Sequence, residues 1–195
     1  MYADKLHNYQ SDNLILLGRH TRFSEYIMDF ALMLDDGDRG LDLGTGPKGN
    51  SSKYFPHCIL DGCDVEVAVL DSLGSEYNET FLFQLGKDKL PYSDEELDFI
   101  ICSCVIQHLN SEEELKRGIE EIKRVLKKGG LFYLMFKIGT HDTAFTHFND
   151  YYKQERTFRV FSPSSIQRIC DLYTVSEELL LDDNFIPYCK MILQK

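Results

Sequence analysis

The sequence predicts an α/β fold: a single doubly wound, mostly parallel sheet with a C-terminal antiparallel strand and helices on both faces, in three layers. Three observations lead there. Short, nearly continuous apolar runs recur at 40–43, 58–63, 80–85, 97–105 and 131–136, as strands buried on both faces require. Stretches with helical spacing of apolar residues alternate with runs of this kind. A glycine string follows the first run directly, in the strand-to-helix position.

The elements follow in order. Residues 22–35 carry Phe23, Tyr26, Ile27, Phe30, Ala31 and Leu34 on one helical face, with Gly37 as the stop. The five runs then supply five strands. Before the fifth, Ser111 caps a helix with Glu114 three residues on; Leu115, Ile119, Ile122 and Leu126 share its buried face and Gly129 marks its exit. Glu112 with Lys116 and Glu120 with Arg124 are the spacings of solvated-face ion pairs. Ser162-Pro163 opens a helix through Cys170, and Tyr188–Leu193 alternates as a final strand. The reading is one domain over 1–195: a helical cap at 1–37, a ligand-binding core at 38–137, a substrate-side insertion at 138–161, and a C-terminal helix and strands at 162–195. The stretch 139–161 is the least regular.

Composition narrows the function. The chain of 195 residues is 43% hydrophobic and 27% charged, an ordinary globular mix with room for one core. Its formal charge of -11 repels polyanions, so nucleic acid is a disfavoured partner and a small molecule a favoured one. Six cysteines without CxxC spacing read as reduced thiols, with Cys102 and Cys104 two apart on one strand face. The six histidines form no metal pair, so no metal is expected. With no cationic leader and no apolar run of about 20 residues, the expected location is the cytoplasm. Oligomeric state is not legible.

Gly44, Gly46 and Gly49 form G-x-G-x-x-G, a string that lets a ligand approach the backbone. Alone, it suits a dinucleotide equally well. Asp42 precedes it inside the strand, and Asp64 closes the next strand about 20 residues after Gly44, where an acid can accept from both hydroxyls of a ribose.

Leu41-Asp42-Leu43-Gly44-Thr45-Gly46, Gly62-Cys63-Asp64-Val65, Leu90-Pro91-Tyr92 leading into Leu97–Ile100, Ser103–Leu109, and Lys127-Lys128-Gly129-Gly130 occur in order. Over roughly residues 38–137 this series resembles the seven-strand class I S-adenosylmethionine-dependent methyltransferases, especially the small-molecule branch of the ubiquinone-biosynthesis type. The resemblance implies S-adenosylmethionine as cofactor and S-adenosylhomocysteine as product. It places Asp42, Gly44, Thr45 and Gly46 around the methionine part, Asp64 on the ribose and Val65 against the adenine face. Asp88 would meet the adenine edge or, equally, serve as a turn residue, with Lys89 and Leu90 giving backbone groups and Ser103 closing the set.

Just past strand four, His108 stands where a base could reach an acceptor, or where it could be bonded locally. Substrate contacts are expected from His141, Tyr151 and Arg156, and the aromatics Phe145, Phe148 and Phe158 suit either a ligand or the core. Tyr9, Arg19 and His20 could close over the cofactor. Ser103-Cys104-Val105-Ile106 lacks the Asn/Asp-Pro-Pro-aromatic element of nucleic-acid base amino-methylation. The leading expectation is a methyltransferase acting on a small molecule. A non-catalytic S-adenosylmethionine-binding partner module and an NAD(P)-dependent reductase are the alternatives, the last weakened because dinucleotide folds need no acid at Asp42.

Overall fold

A computed structural model describes residues 26–46, 51–75, 77–139, 142–149, 154–181 and 187–195. Seven strands form one sheet in the order β3-β2-β1-β4-β5-β9-β8. They are β1 (Arg39–Leu43), β2 (Ile59–Asp64), β3 (Thr80–Leu82), β4 (Leu97–Ser103), β5 (Leu126–Lys137), β8 (Tyr173–Leu181) and β9 (Pro187–Gln194). The first five are parallel neighbours, and β9 runs antiparallel to both β5 and β8. This is the sheet expected, with one more C-terminal strand than the tail alternation marked.

Strand alternation sorts side chains into two apolar layers. Leu41, Leu43, Ile100, Cys102, Phe132, Leu134 and Phe136 join Leu115, Ile119 and Ile122 of helix α3 (Glu112–Val125) and Ile166 of α4 (Pro163–Cys170). Phe99, Ile101, Tyr133 and Met135 face the other way, onto Ile27 and Phe30 of the helical residues 26–31, here α1. There the Phe30 ring sits 5.3 Å from Tyr133 and 6.0 Å from Phe99, and Phe55 stacks on Phe99 at 5.5 Å. Gly40 is required beneath these rings, since a Cβ there would lie 2.2 Å from Phe99. A short helix α2 (Val67–Leu70) connects β2 toward β3.

Several boundaries differ from expectation. The first helix ends at residue 31, where Leu32 turns outward, 84% exposed. β3 stops at Leu82, and β4 at Ser103. Cys104 leaves the strand with φ 61 and joins the α1 layer while Cys102 joins the α3 layer, so the two thiols lie on opposite faces. α3 ends at Val125; Leu126 already pairs with Leu97, and Gly129 (φ 82) lies within the long β5 rather than at a helix exit. Glu112 pairs with Lys116 at 2.9 Å as expected, but Arg124 pairs with Glu121 and Asp94 instead of Glu120.

The stretch 139–161 carries an antiparallel hairpin, β6 (Thr143–Asn149) with β7 (Gln154–Val160), forming its own two-stranded sheet. A bridge from Ile138 to Phe161 ties its base to the end of β5.

Candidate functional site

Ligands in an open parallel sheet bind beyond the carboxyl ends of the strands. At that edge β1 runs into Gly44 (φ 80) and Gly46 (φ 63), both in conformations that disfavour any side chain. The loop is sewn to the end of β2. Gly44 and Thr45 N–H groups donate to Cys63 O at 2.8 and 3.1 Å, and Gly46 N–H donates to Asp64 Oδ2 at 3.1 Å. Asp64 Oδ1 accepts from Glu66 N–H at 3.1 Å. Each carboxylate oxygen has a second lone-pair site, so Asp64 braces the loop and keeps capacity for ribose hydroxyls.

Asp42 faces the α1 layer and is buried, with 2% of its surface exposed. The Tyr77 hydroxyl donates to its Oδ2 at 2.6 Å. Burial pushes the Asp42 carboxyl up to about 6; donation by Tyr77 and Ser51 opposes this, and the charge of Asp64 adds to it. The Tyr77 ring and Thr45 both rest on Gly62, where a Cβ would stand 2.8 Å from Thr45 Cγ2 and 2.9 Å from the ring. Opposite, a Cβ on Gly44 would meet Val105 Cγ2 at 2.4 Å, so the segment after β4 closes the other wall.

Thr45 is 3% exposed, and among the described residues its Oγ1 is a buried hydroxyl without a hydrogen-bond partner, a group that a polar ligand at the loop would satisfy. Beside Asp64 the apolar Val65 and Leu82 are 48% and 57% exposed, a flank suited to the face of a heterocycle. Paired acids, a glycine turn and an apolar shelf fit a ligand carrying amino-acid, ribose and heterocyclic parts.

The other expected contacts have the following places in the structure. Asp88 closes a turn, its Oδ2 accepting from Gln84 N–H at 2.7 Å. Leu90 is buried in the α3 layer, and its N–H is engaged by Glu121 Oε1 at 2.7 Å, so that backbone group serves packing on α3. Lys89 is exposed, and Ser103 ends β4 opposite Met135.

His108 lies in a 3-10 turn, Ile106–His108, with its ring edge-on to Phe158 of β7 at 4.7 Å. Phe158 is 4% exposed, so it joins the wall between β5 and β7. Arg156 stands opposite His147 in the hairpin register, though its side chain lies outside the described residues. His141, Tyr151, Tyr9, Arg19, His20 and the loop residues Pro47, Lys48 and Gly49 also lie outside them.

Two residues escaped sequence reasoning. Tyr77 sits in a polar turn without a motif. Lys137 closes the apolar run of β5; the signal was a charged residue continuing a buried strand, and it is 2% exposed. Its N–H donates to Gln107 Oε1 at 3.3 Å. Among the described residues no cluster of three metal-ligating side chains occurs, and no helix is long and apolar enough to cross a membrane.

A family model described as a methyltransferase domain matches residues 41–134. The chain is 32% identical over 115 residues to a tRNA (carboxymethyluridine(34)-5-O)-methyltransferase of Arabidopsis thaliana, covering 56% of this chain and 27% of that protein. Across the curated relatives it matches, the chain spans between 27% and 51% of the two first ones' lengths. Its fold is similar to an S-adenosylmethionine-dependent methyltransferase from Methanosarcina mazei, with TM-score 0.72 at 17% identity over 86% of this chain and 96% of that one. It is also similar to the Burkholderia thailandensis 1,6-didemethyltoxoflavin-N1-methyltransferase, solved with bound 1,6-didemethyltoxoflavin and S-adenosylhomocysteine, with TM-score 0.71 at 13% identity over 100% and 86% of the two chains.

Proposed function

We propose that this chain, which belongs to the class I S-adenosylmethionine-dependent methyltransferases, transfers a methyl group from that cofactor to a small-molecule acceptor. The observation that carries the reading is the joint placement of Asp42 and Asp64 on the two sides of the Gly44–Gly46 turn. A dinucleotide site would need only the second acid.

When bound, S-adenosylmethionine supplies a methyl group on a positive sulfur, already activated for in-line displacement. The chain's share is therefore orientation and exclusion of water. Asp64 holds the ribose, Val65 and Leu82 shelve the adenine, and Thr45 Oγ1 and the Asp42 side of the loop hold the amino-acid part. The acceptor lies between the turn after β4 and the β6–β7 hairpin, where an imidazole nitrogen of His108 takes the acceptor's proton. The formal charge of -11 favours a small acceptor over tRNA, the substrate named for the plant relative.

Thermal stabilisation by S-adenosylhomocysteine, with none by NADH, is the expected result; the reverse pattern overturns the reading in favour of a reductase. Asp64→Ala removes charge-assisted hydrogen bonds worth about 1.5–3 kcal/mol each and should weaken S-adenosylhomocysteine binding at least tenfold. Unchanged affinity would displace Asp64 from the ribose. His108→Ala should lower turnover by about 10² or more while leaving cofactor affinity alone; turnover equal to wild type would restrict His108 to its packing on Phe158. A chain that binds cofactor yet methylates nothing across small-molecule extracts would be the partner module instead.

A further inference from the structure

We infer that Tyr77 is a positioning residue for the cofactor, its hydroxyl holding the Asp42 carboxylate in place for the α-ammonium of the methionine part. This inference rests on the methyl-transfer reading and adds a residue that acts through Asp42. The Tyr77 hydroxyl donates to Asp42 Oδ2 at 2.6 Å, and the two residues are 8% and 2% exposed. A short hydrogen bond to a carboxylate oxygen, away from competing water, fixes where that carboxylate points.

The turn that carries Tyr77 is knit to β2, which keeps the hydroxyl at its acceptor. Asn78 N–H donates to Leu60 O and Gly62 N–H to Glu79 O, both at 2.8 Å. Asn78 Nδ2 and Glu79 N–H donate to Asp61 Oδ1 at 2.8 and 3.2 Å. Just ahead of these anchors the Tyr77 ring lies over Gly62, where a Cβ would stand 2.9 Å from it. The ribose side is braced differently, since Asp64 accepts from the backbone N–H groups of Gly46 and Glu66. Loss of the hydroxyl at Tyr77 therefore acts on one end of the cofactor site.

A cation is held best by a carboxylate that is ionised and already aimed. Burial pushes Asp42 toward its neutral form, the charge of Asp64 pushes the same way, and donation by Tyr77 and Ser51 opposes them. Those two donors take two of the roughly four lone-pair sites of the carboxylate and leave capacity for a third. On the same Gly62 floor, Thr45 Oγ1 is a buried hydroxyl that no described residue meets. A carboxylate and a hydroxyl thus stand together at the glycine turn, and an α-ammonium carries donors for both.

The experiment titrates two ligands by calorimetry at neutral pH: S-adenosylhomocysteine and its deaminated analogue, which keeps adenosine, sulfur and carboxylate but lacks the ammonium. The proteins are wild type, Tyr77→Phe, Asp42→Asn and the double variant. Wild type should prefer the ligand with the ammonium about tenfold or more. Tyr77→Phe keeps the ring over Gly62 and should cut that preference at least about fivefold, with the analogue bound within about twofold of wild type. In the Asp42→Asn background the same substitution should change neither affinity by more than about twofold, because residues in one hydrogen-bonded network do not act additively. A wild type without the preference, a preference that survives in Tyr77→Phe or in Asp42→Asn, or a further loss in the double variant overturns the inference and leaves the cofactor reading standing. Failure of wild type to bind S-adenosylhomocysteine overturns both.

Discussion

At the scale of single residues, Asp42 sets up a conflict that pH can expose. Its carboxyl is buried, and burial raises it to about 6 against donation from Tyr77 and Ser51. A group raised by folding favours the protonated form in the folded state, so its contribution to stability is fully present below the unfolded value of 3.8 and is lost as pH rises through about 6. The difference between those limits is about 3 kcal/mol at most. We therefore expect the gap in melting temperature between cofactor-free wild type and Asp42→Asn to change steadily between about pH 4 and 6.5, with wild type losing ground as pH rises. Tyr77→Phe removes the 2.6 Å donor and should carry that change to higher pH. A gap independent of pH across the window would mean that Asp42 is ionised throughout. Thr45, on the same Gly62 floor, gives the pocket a hydroxyl that no described residue meets, so one small patch combines a buried acid with a buried donor.

At the scale of elements, legibility follows how local the deciding interactions are. α3 and α4 were readable because their starts are written in neighbouring residues. Ser111 Oγ accepts from Glu114 N–H at 3.1 Å while Glu114 reaches back to Asn110 N–H at 2.9 Å, and Ser162 Oγ accepts from Ser165 N–H at 3.2 Å. The buried strands announced themselves by continuous apolarity. β8 did not, since it is an edge strand with Tyr173, Val175 and Leu179 left exposed, and so lacks the continuous apolarity of the buried strands. The β6–β7 hairpin hid for a related reason: its partners, such as Thr146 with Thr157 at 3.0 Å, become visible only when the register is formed. The glycine turn and its two acids were legible as local backbone chemistry, whereas Tyr77 and Lys137 reach the site through tertiary packing. The end of α3 is not legible locally, because Leu126 suits a helix face, yet its pairing with Leu97 starts the long strand.

At the scale of the whole molecule, the sheet separates what binds from what holds. Asp42 and the glycine turn face the α1 layer and the carboxyl edge. Asp61, one strand over, faces the α3 layer, where it is 1% exposed. It accepts from Tyr92 Oη at 2.9 Å, Asn78 Nδ2 at 2.8 Å, Glu79 N–H at 3.2 Å and Arg39 Nη2 at 3.3 Å. Arg39 also pairs with Glu96 and lies over the Tyr92 ring at 5.3 Å, so β1, β2 and the loop before β4 meet at one carboxylate. Removing it leaves several donors in the interior without an acceptor, a loss of about 3–5 kcal/mol by the cost of breaking a buried charged network. Asp61→Ala should accordingly lower the urea midpoint sharply with little change in the slope of unfolding, followed by circular dichroism. Affinity for S-adenosylhomocysteine, measured below the unfolding transition, should fall far less than the stability does, because the Asp61 side chain and the Asp42 side chain lie on opposite faces of the sheet. A large fall in affinity with an unchanged midpoint would instead make Asp61 part of the binding edge and would erase the division of labour between the two faces of the sheet.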